Sequence, residues 1–164
     1  KTKKLNYKKY EEKIQKFLKE NKVKIIFEPG RSIIADTAIL LTKIIYIKET
    51  KKKNFIILDS GMNDLIRPAI YGSKHQIIPF KKNNIIVNKL HDLVGPICES
   101  TDKFLSLNKY QKVKEKDLLA ICDVGAYGAV LASNYNLRTK PAEILINKSL
   151  YKIISKRQKL NNII

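Results

Sequence analysis

Cysteine and histidine, which supply most structural metal sites, are scarce in this sequence of 164 residues. The two cysteines, Cys98 and Cys122, lie far apart and form no Cys-x-x-Cys pair. The two histidines, His75 and His91, have no ligand spacing and share no helix face. These absences exclude a zinc-finger pattern and a disulfide framework. We therefore predict no metal site and a reducing, cytoplasmic setting.

Acidic residues are also few, since 15 Asp and Glu stand against 33 Lys and Arg, for a formal net charge of +18. A positive excess of this size suggests a polyanion partner such as nucleic acid. The cations, however, are nearly all lysines scattered through every segment, beside abundant Ile and Asn, and a compositional bias explains them without a ligand. No RNP-like, zinc-finger or helix-turn-helix pattern is present. We therefore expect no nucleic-acid partner.

Long apolar runs are missing as well, and none reaches the length that spans a bilayer. The basic residues 1–4 precede an amphipathic segment rather than the apolar core of a signal peptide. The sequence contains no internal repeat and no low-complexity linker. We expect a soluble protein with no membrane partner, and the 44% hydrophobic content is sufficient for a folded core.

The first part of the chain has the pattern of an α/β unit. In residues 5–20 the apolar positions recur at spacings of three and four, which predicts an amphipathic helix. Residues 23–27 predict a short buried strand, which runs directly into the polar residues 28–31. A helix followed by a buried strand with polar residues at its carboxyl end is the repeating unit of an α/β barrel. We predict that residues 1–35 are the last such unit of a TIM-like barrel.

The rest of the chain changes to short apolar or alternating runs, which predict strands. These runs are residues 39–47, 55–58, 76–80, 85–93, 118–123 and 143–146. Residues 51–54 and 81–84 predict hairpin tips, residues 123–135 one short helix, and residues 151–159 a basic tail. The predicted fold class is α+β, with the barrel unit followed by a mostly antiparallel β domain over residues 36–164.

Candidate functional residues occur in polar stretches that interrupt this pattern. In residues 95–102, Gly95 and Pro96 fix a turn that presents the Cys98 thiol beside the Glu99 carboxylate. Arg67 and Tyr71 are four residues apart around Pro68, so one helical turn would bring a guanidinium and a phenol together to hold a carboxylate.

Each candidate also has an ordinary structural explanation. The stretch around Cys98 can be a plain polar loop, and Glu28 can cap a strand end or pair with Arg31. Arg67 and Tyr71 can pack at a surface turn, and Tyr127 can be a core tyrosine. These alternatives stay open on the residues alone.

Four stretches, taken in this order, resemble the diaminopimelate decarboxylases, pyridoxal-phosphate enzymes with an alanine-racemase-like fold. The stretches are EPGR at 28–31, DSGMNDLIRPAIY at 59–71, GPICESTD at 95–102 and GAYG at 125–128. The resemblance extends from about Val23 to the end and includes residues 138–143. It implies decarboxylation of meso-2,6-diaminopimelate to L-lysine, the last step of lysine biosynthesis, by a homodimer with active sites at its interface.

The resemblance also assigns roles to individual residues. The cofactor-binding residues for pyridoxal 5'-phosphate are Glu28, which would face the pyridine nitrogen, Gly30, Arg31 and Tyr127. The substrate-binding residues are Arg31, Arg67, Tyr71 and Glu99. Cys98 is the implied catalytic residue, placed across the dimer interface to protonate carbon. Glu99 favours diaminopimelate, because related decarboxylases of ornithine or arginine usually carry Asp-Gly after the cysteine.

The sequence departs from the family in one respect. The lysine that binds the cofactor covalently and the glycine-rich phosphate loop are expected upstream of residue 1. Lys24 and Lys43 lie in apolar runs, but neither has the family's surroundings. We therefore expect a carboxyl-terminal part of the enzyme that is inactive alone. Two alternatives stay open: a non-enzymatic dimerisation or binding domain, and a related ornithine- or carboxynorspermidine-type decarboxylase.

Overall fold

The computed structural model describes residues 5–164, and the basic residues 1–4 lie outside this range. Helix α1, Tyr7–Asn21, begins where the Asn6 side chain accepts a hydrogen bond from the Lys9 amide at 3.0 Å. It ends at Lys22, which has left-handed backbone angles. The predicted amphipathic helix is therefore confirmed. None of its residues is buried, however.

The predicted buried strand at residues 23–27 is wrong. These residues form no strand, and Val23, Ile26 and Phe27 are exposed, Ile26 by 90%. A strand needs a neighbour to satisfy its backbone hydrogen bonds, and no described segment pairs with this one. The last helix–strand unit of a barrel is therefore not present as predicted in the described residues. The proposed boundary between residues 35 and 36 stays a prediction.

A six-stranded mixed sheet forms the centre of the molecule, in the order β3-β8-β1-β2-β5-β6. The strands are β1 Leu40–Glu49, β2 Lys53–Leu58, β3 Ile77–Pro79, β4 Ile86–Val87, β5 Leu90–Val94, β6 Lys103–Leu107, β7 Tyr110–Gln111, β8 Leu118–Ile121, β9 Glu143–Asn147 and β10 Leu150–Ser155. In the six-stranded sheet only β2 and β5 pair in parallel. Strands β4 and β7 form one antiparallel pair, and β9 and β10 form another. The predicted mostly antiparallel pairing is confirmed among the described strands.

Apolar side chains alternate along the central strands, and their inward members form the core. In β2, for example, Asn54, Ile56 and Leu58 are buried, and the residues between them are partly exposed. A fully buried Leu or Ile contributes about 1.5–3 kcal/mol to folding. The buried apolar cluster comprises Ile44, Ile56, Leu58, Leu65, Ile77, Leu93, Phe104, Tyr110, Leu119 and Ile121.

Some strand predictions need correction. Residues 85–93 form two strands, because β4 pairs with β7 and β5 pairs with β2 and β6. Residues 50–52 connect the hairpin of β1 and β2, so the hairpin predicted at residues 51–54 is present, with residues 53 and 54 already in β2. Residues 81–84 lie between β3 and β4, which pair with different strands, so the hairpin predicted there is wrong. The pattern missed β6, β7 and β10, the last of which occupies much of the predicted basic tail.

Helical structure after α1 is short and lies near the candidate residues. Helix α2 is Arg31–Ile34, and helix α3 is Arg67–Tyr71. Single 3-10 turns occur at Ala35–Thr37, Ala129–Leu131, Tyr135–Leu137 and Leu160–Asn162. The two 3-10 turns in or next to residues 123–135 take the place of the one short helix predicted there. Among the described helices, none is long and apolar enough to cross a bilayer.

Candidate functional site

Arg67 is the centre of a cluster of aromatic and polar side chains. It opens helix α3, which Pro68 favours at its start and Gly72 ends with a left-handed backbone. The guanidinium carbon lies 5.4 Å from the ring centroid of Tyr71 and 5.6 Å from that of Tyr127. Its Nη2 atom donates a hydrogen bond to the Ser73 hydroxyl at 3.2 Å. The predicted meeting of Arg67 and Tyr71 is observed, and Ser73 is a partner that the sequence pattern did not indicate.

Tyr127 links this cluster to Gly30. Its backbone is in the left-handed region, with φ of 60°. Its hydroxyl oxygen lies 3.6 Å from the position that a Cβ atom on Gly30 would take, which makes it the nearest atom there. Gly30, Arg67, Tyr71 and Tyr127 are therefore brought to one place, although they come from three separate parts of the chain.

The loop that carries Tyr127 is fixed to the segment after α2 by close backbone packing. The Gly125 amide donates to the Ala35 carbonyl at 2.9 Å, and the Val124 amide donates to the Ala38 carbonyl at 3.2 Å. A Cβ atom on Gly125 would lie 2.0 Å from the carbonyl oxygen of Ile34. Only glycine fits at this position, since any side chain would collide with backbone.

Glu28 and Arg31 are less closely associated with the cluster around Arg67. Both are exposed, and no ion pair joins them among the residues from 5 to 164. Glu28 does not end a buried strand, because the strand is absent. Arg31 begins helix α2 directly after Gly30, the residue that lies near the Tyr127 hydroxyl. Their roles toward a cofactor stay predictions.

Cys98 and Glu99 lie on the loop between β5 and β6, and both are exposed. The Gly95 amide donates to the Asp102 carbonyl at 2.9 Å, and the Asp102 amide donates to the Glu99 carbonyl at 3.0 Å, so backbone hydrogen bonds close the loop. No hydrogen bond, ion pair or ring contact within the described part of the chain joins Cys98 or Glu99 to Arg31, Arg67 or Tyr127. The predicted site residues thus fall into two groups.

The turn between β2 and α3, residues 59–64, leads into the helix of Arg67 and is held by several polar contacts. Asp59 accepts hydrogen bonds from the Thr42 hydroxyl at 2.7 Å and from the Lys43 amide at 2.8 Å. Burial raises the pKa of Asp64, although the Gly61 amide donates to its carboxylate at 2.9 Å. The turn is therefore held by its own side chains before any ligand binds.

Arg138 secures the same turn from the other end of the chain. Its Nε atom donates to the Asn63 side-chain oxygen at 3.0 Å, and its Nη2 atom donates to the Asp59 carbonyl. The Ser133 amide also donates to the Asn63 carbonyl, at 2.8 Å. Sequence reasoning assigned no role to Asn63 or Arg138, because such long-range pairing leaves no local periodicity.

The histidines and the second cysteine are structural. His75 is buried, and its Nδ1 atom lies 2.8 Å from the Cys122 carbonyl oxygen. His91 lies in β5 with its ring 6.1 Å from the Tyr110 ring. Burial, followed by the charge of Asp123, raises the pKa of the Cys122 thiol. Within residues 5–164, no group of His, Cys, Asp and Glu side chains could hold a metal ion.

Comparison with known proteins assigns the chain to a family. Residues 31–125, more than half of the chain, match the family model of the pyridoxal-dependent decarboxylase C-terminal sheet domain. The chain belongs to this family. It is 43% identical over 154 residues to diaminopimelate decarboxylase of Aquifex aeolicus, an alignment that covers 92% of this chain and 36% of that protein. The chain thus spans little more than a third of its relatives' length.

Solved structures support the same assignment. The fold is similar to that of Helicobacter pylori diaminopimelate decarboxylase in complex with L-lysine, with a TM-score of 0.84 and 38% identity over 97% of this chain and 39% of that one. A lysine/ornithine decarboxylase from Vibrio vulnificus has a TM-score of 0.60 and 22% identity over 69% of this chain and 31% of that one. The second likeness shows the fold alone.

Proposed function

We propose that this chain supplies substrate-binding, cofactor-binding and interface residues to a diaminopimelate decarboxylase, which converts meso-2,6-diaminopimelate to L-lysine and carbon dioxide in the last step of lysine biosynthesis. The observation that carries the proposal is the Arg67 cluster, in which a guanidinium lies against two tyrosine rings next to a glycine. Its donors suit a carboxylate of a substrate and, beside it, the phosphate of a cofactor.

The residues near Gly30 fit the phosphate of pyridoxal 5'-phosphate. The Tyr127 hydroxyl and the Arg31 guanidinium are donors, and Gly30 leaves its backbone open to an anion. Glu28 lies two residues before Gly30 in the sequence and would face the pyridine nitrogen. The chemistry that bound pyridoxal phosphate supplies is electron withdrawal from the carbon that loses its carboxylate.

Arg67 and Tyr71 are proposed to hold one substrate carboxylate. Arg67 is 9% exposed and is kept in place by Ser73 and two rings, so little side-chain freedom remains to be lost on binding. A planar guanidinium can donate two parallel hydrogen bonds to a carboxylate, and the Tyr71 hydroxyl can add a third. A substrate with a single carboxylate at the reacting carbon would gain nothing from this cluster.

Cys98 and Glu99 are proposed to act on the substrate of a second protomer. The Cys98 thiol would give its proton to the carbon that has lost carbon dioxide, and the exposed sulfur would then recover a proton from water. The Glu99 carboxylate would accept hydrogen bonds from the distant ammonium of the substrate. Because these residues do not contact Arg67 within one chain, we propose a homodimer with active sites at the interface and, given the free thiols, a cytoplasmic location.

The experiment that tests this function compares Glu99→Ala with the control Glu49→Ala in a complete enzyme containing this chain. Glu49 is also exposed, but it lies at the far end of β1. Losing the ammonium's partner should cost about 2–5 kcal/mol of transition-state binding, or about 30-fold to several thousand-fold in kcat/KM. Absorbance of bound pyridoxal phosphate should not change in either variant.

Other outcomes would redirect the proposal. Near-normal turnover of meso-diaminopimelate by Glu99→Ala would remove Glu99 from substrate recognition. Faster turnover of ornithine than of diaminopimelate by the unaltered enzyme would favour the related decarboxylase. The absence of turnover of any amino acid, despite normal folding and bound cofactor, would favour a binding domain without catalysis.

A further inference from the structure

The Asp102 carboxylate connects two segments that belong to the two groups of site residues. Its Oδ1 atom accepts a hydrogen bond from the Met62 amide at 2.7 Å, and its Oδ2 atom accepts one from the Ile97 amide at 2.8 Å. Met62 belongs to the turn that leads into the helix of Arg67, and Ile97 directly precedes Cys98. One side chain therefore bridges the two loops with both of its oxygens.

The carboxylate occupies a space that is shaped for it. Asp102 is only 3% exposed. A Cβ atom on Gly95 would lie 2.2 Å from Oδ2 of Asp102, and a Cβ atom on Gly61 would lie 3.3 Å from the same atom. Since a methyl group on Gly95 would collide with the carboxylate, this glycine is required by a close approach.

Asp102 directly precedes Lys103, the first residue of β6. A second contact joins the same two segments, because the Thr101 hydroxyl lies 3.8 Å from the Met62 sulfur. Both contacts join the loop of Cys98 and Glu99 to the turn at residues 59–64.

We propose that Asp102 is a positioning residue, which fixes Cys98 and Glu99 relative to the turn that carries Arg67. The inference rests on the proposed function of Cys98 and Glu99, and it identifies Asp102 as the side chain that holds their loop in place. In a homodimer, Cys98 and Glu99 would act at the partner's active site, and Arg67 would act at the protomer's own site. Asp102 would therefore link residues that serve two different active sites. A misplaced Cys98 would lose control over the face from which carbon is protonated.

Asp102→Asn tests the bridge with little change in shape. An amide offers one acceptor oxygen, and its NH2 group would face the N–H of Met62 or Ile97, donor against donor. One of the two hydrogen bonds that Asp102 accepts is therefore lost, and the segment of Met62 or of Ile97 is no longer held. The matched control is Asp117→Asn, because Asp117 also accepts a hydrogen bond from a loop amide, that of Lys114 at 2.9 Å, away from both groups.

The measurement is turnover of meso-diaminopimelate in D2O by the complete enzyme, with deuterium on the product located by NMR. Asp117→Asn should put deuterium at one of the two positions on the reacting carbon, as the unaltered enzyme does. Asp102→Asn should label both positions and lower kcat/KM by about 100-fold, a loss that displacement of a catalytic group by about 1 Å can cause. Bound-cofactor absorbance should stay unchanged.

Several outcomes would overturn the proposal. Single-position labelling and normal kcat/KM in Asp102→Asn would remove the positioning role, while lack of turnover by the unaltered enzyme would instead contradict the proposed function. If Asp102→Asn does not fold, amide exchange in the unaltered enzyme decides the matter. The Met62 and Ile97 amides should then exchange slowly, although both lie in loops, and exchange as fast as that of the exposed Ser100 would contradict the bridge.

Discussion

The guanidinium of Arg67 lies 5.6 Å from the ring centroid of Tyr127, and this contact joins helix α3 to the loop after strand β8. Tyr127 is half-exposed, so a ligand can reach the hydroxyl while the ring stays against Arg67. Substitution can therefore test the contributions of the ring and of the hydroxyl separately. The ring supports the arginine, and the hydroxyl is free for an anion beside Gly30.

Replacing Tyr127 with Phe should weaken the binding of pyridoxal phosphate and leave folding intact. The ring contact with Arg67 is kept, but a hydrogen bond to a charged phosphate is lost, which costs about 1.5–3 kcal/mol or about 10- to 150-fold in Kd. Absorbance titration of the complete apo-enzyme measures this change. Tyr135→Phe, at another exposed tyrosine, is the control, and equal affinities for both variants would remove Tyr127 from the cofactor site.

A second expectation concerns stability at the β2–β5 pair, where the Lys53 ammonium lies 2.6 Å from Asp92 and the Ser106 hydroxyl also donates to this carboxylate. Burial favours the protonated acid, but the hydrogen bonds from Lys53 and Ser106 outweigh it and lower the pKa of Asp92. The ionised form therefore stabilises the fold above the pKa of an unfolded aspartate, and this stabilisation disappears as pH falls through the lowered pKa.

Asp92→Asn should accordingly reduce the free energy of unfolding at pH 7 by about 1–3 kcal/mol, the value of a hydrogen-bonded charge. The difference from the unaltered chain should shrink as the pH is lowered below about 4, the usual pKa of aspartate. Urea unfolding at a series of pH values measures it, with the exposed Asp36→Asn as the control. A difference that stays constant down to acid pH would contradict the assignment.

A third prediction concerns α1 and the segment after it. No residue of α1 is buried, and its Tyr10 ring lies 6.3 Å from that of Phe27, which is itself exposed. Deleting residues 1–27 should therefore change the thermal unfolding of the sheet very little. The deletion should reduce self-association, because exposed apolar side chains such as Phe17 and Ile26 are removed with it.

Sedimentation and thermal unfolding of the chain, with and without residues 1–27, measure these effects. As a control for size and charge, the helix is kept and Tyr7, Phe17 and Ile26 are changed to polar residues, which should reduce association equally. Unfolding of the sheet on deletion would mean that the segment belongs to its core and that the proposed boundary between residues 35 and 36 is wrong.

The local sequence pattern was sufficient to predict the elements that neighbouring residues stabilise. Helix α1 has its own cap and its own periodicity, and the hairpin of β1 and β2 has a lysine-rich tip, so each was predicted from nearby residues. Residues 23–27 have the same apolar composition as a true strand, but no described strand pairs with them. A strand depends on its neighbours, and its sequence alone does not contain them.

The contacts of the candidate site also divide into those that depend on neighbouring residues and those that depend on distant ones. The meeting of Arg67 and Tyr71 follows from helical spacing, and the turn at Gly95 follows from its residues. The approach of Tyr127 to Gly30 depends on how Gly125 packs against Ile34, and the bridge from Asp102 to Met62 depends on the pairing of β5 and β6. These contacts join distant parts of the chain, so the sequence pattern could not indicate them.

The most direct test of the account mixes two strongly impaired variants of the complete enzyme, Glu99→Ala and Arg67→Ala, after dissociation and reassociation. If Glu99 acts at the site of the other protomer's Arg67, each mixed dimer contains one site with both residues intact. Random reassociation makes half of the dimers mixed, so turnover of meso-diaminopimelate should return to about a quarter of the unaltered rate. If both residues serve the same protomer's site, no activity should return, and that result would contradict the account.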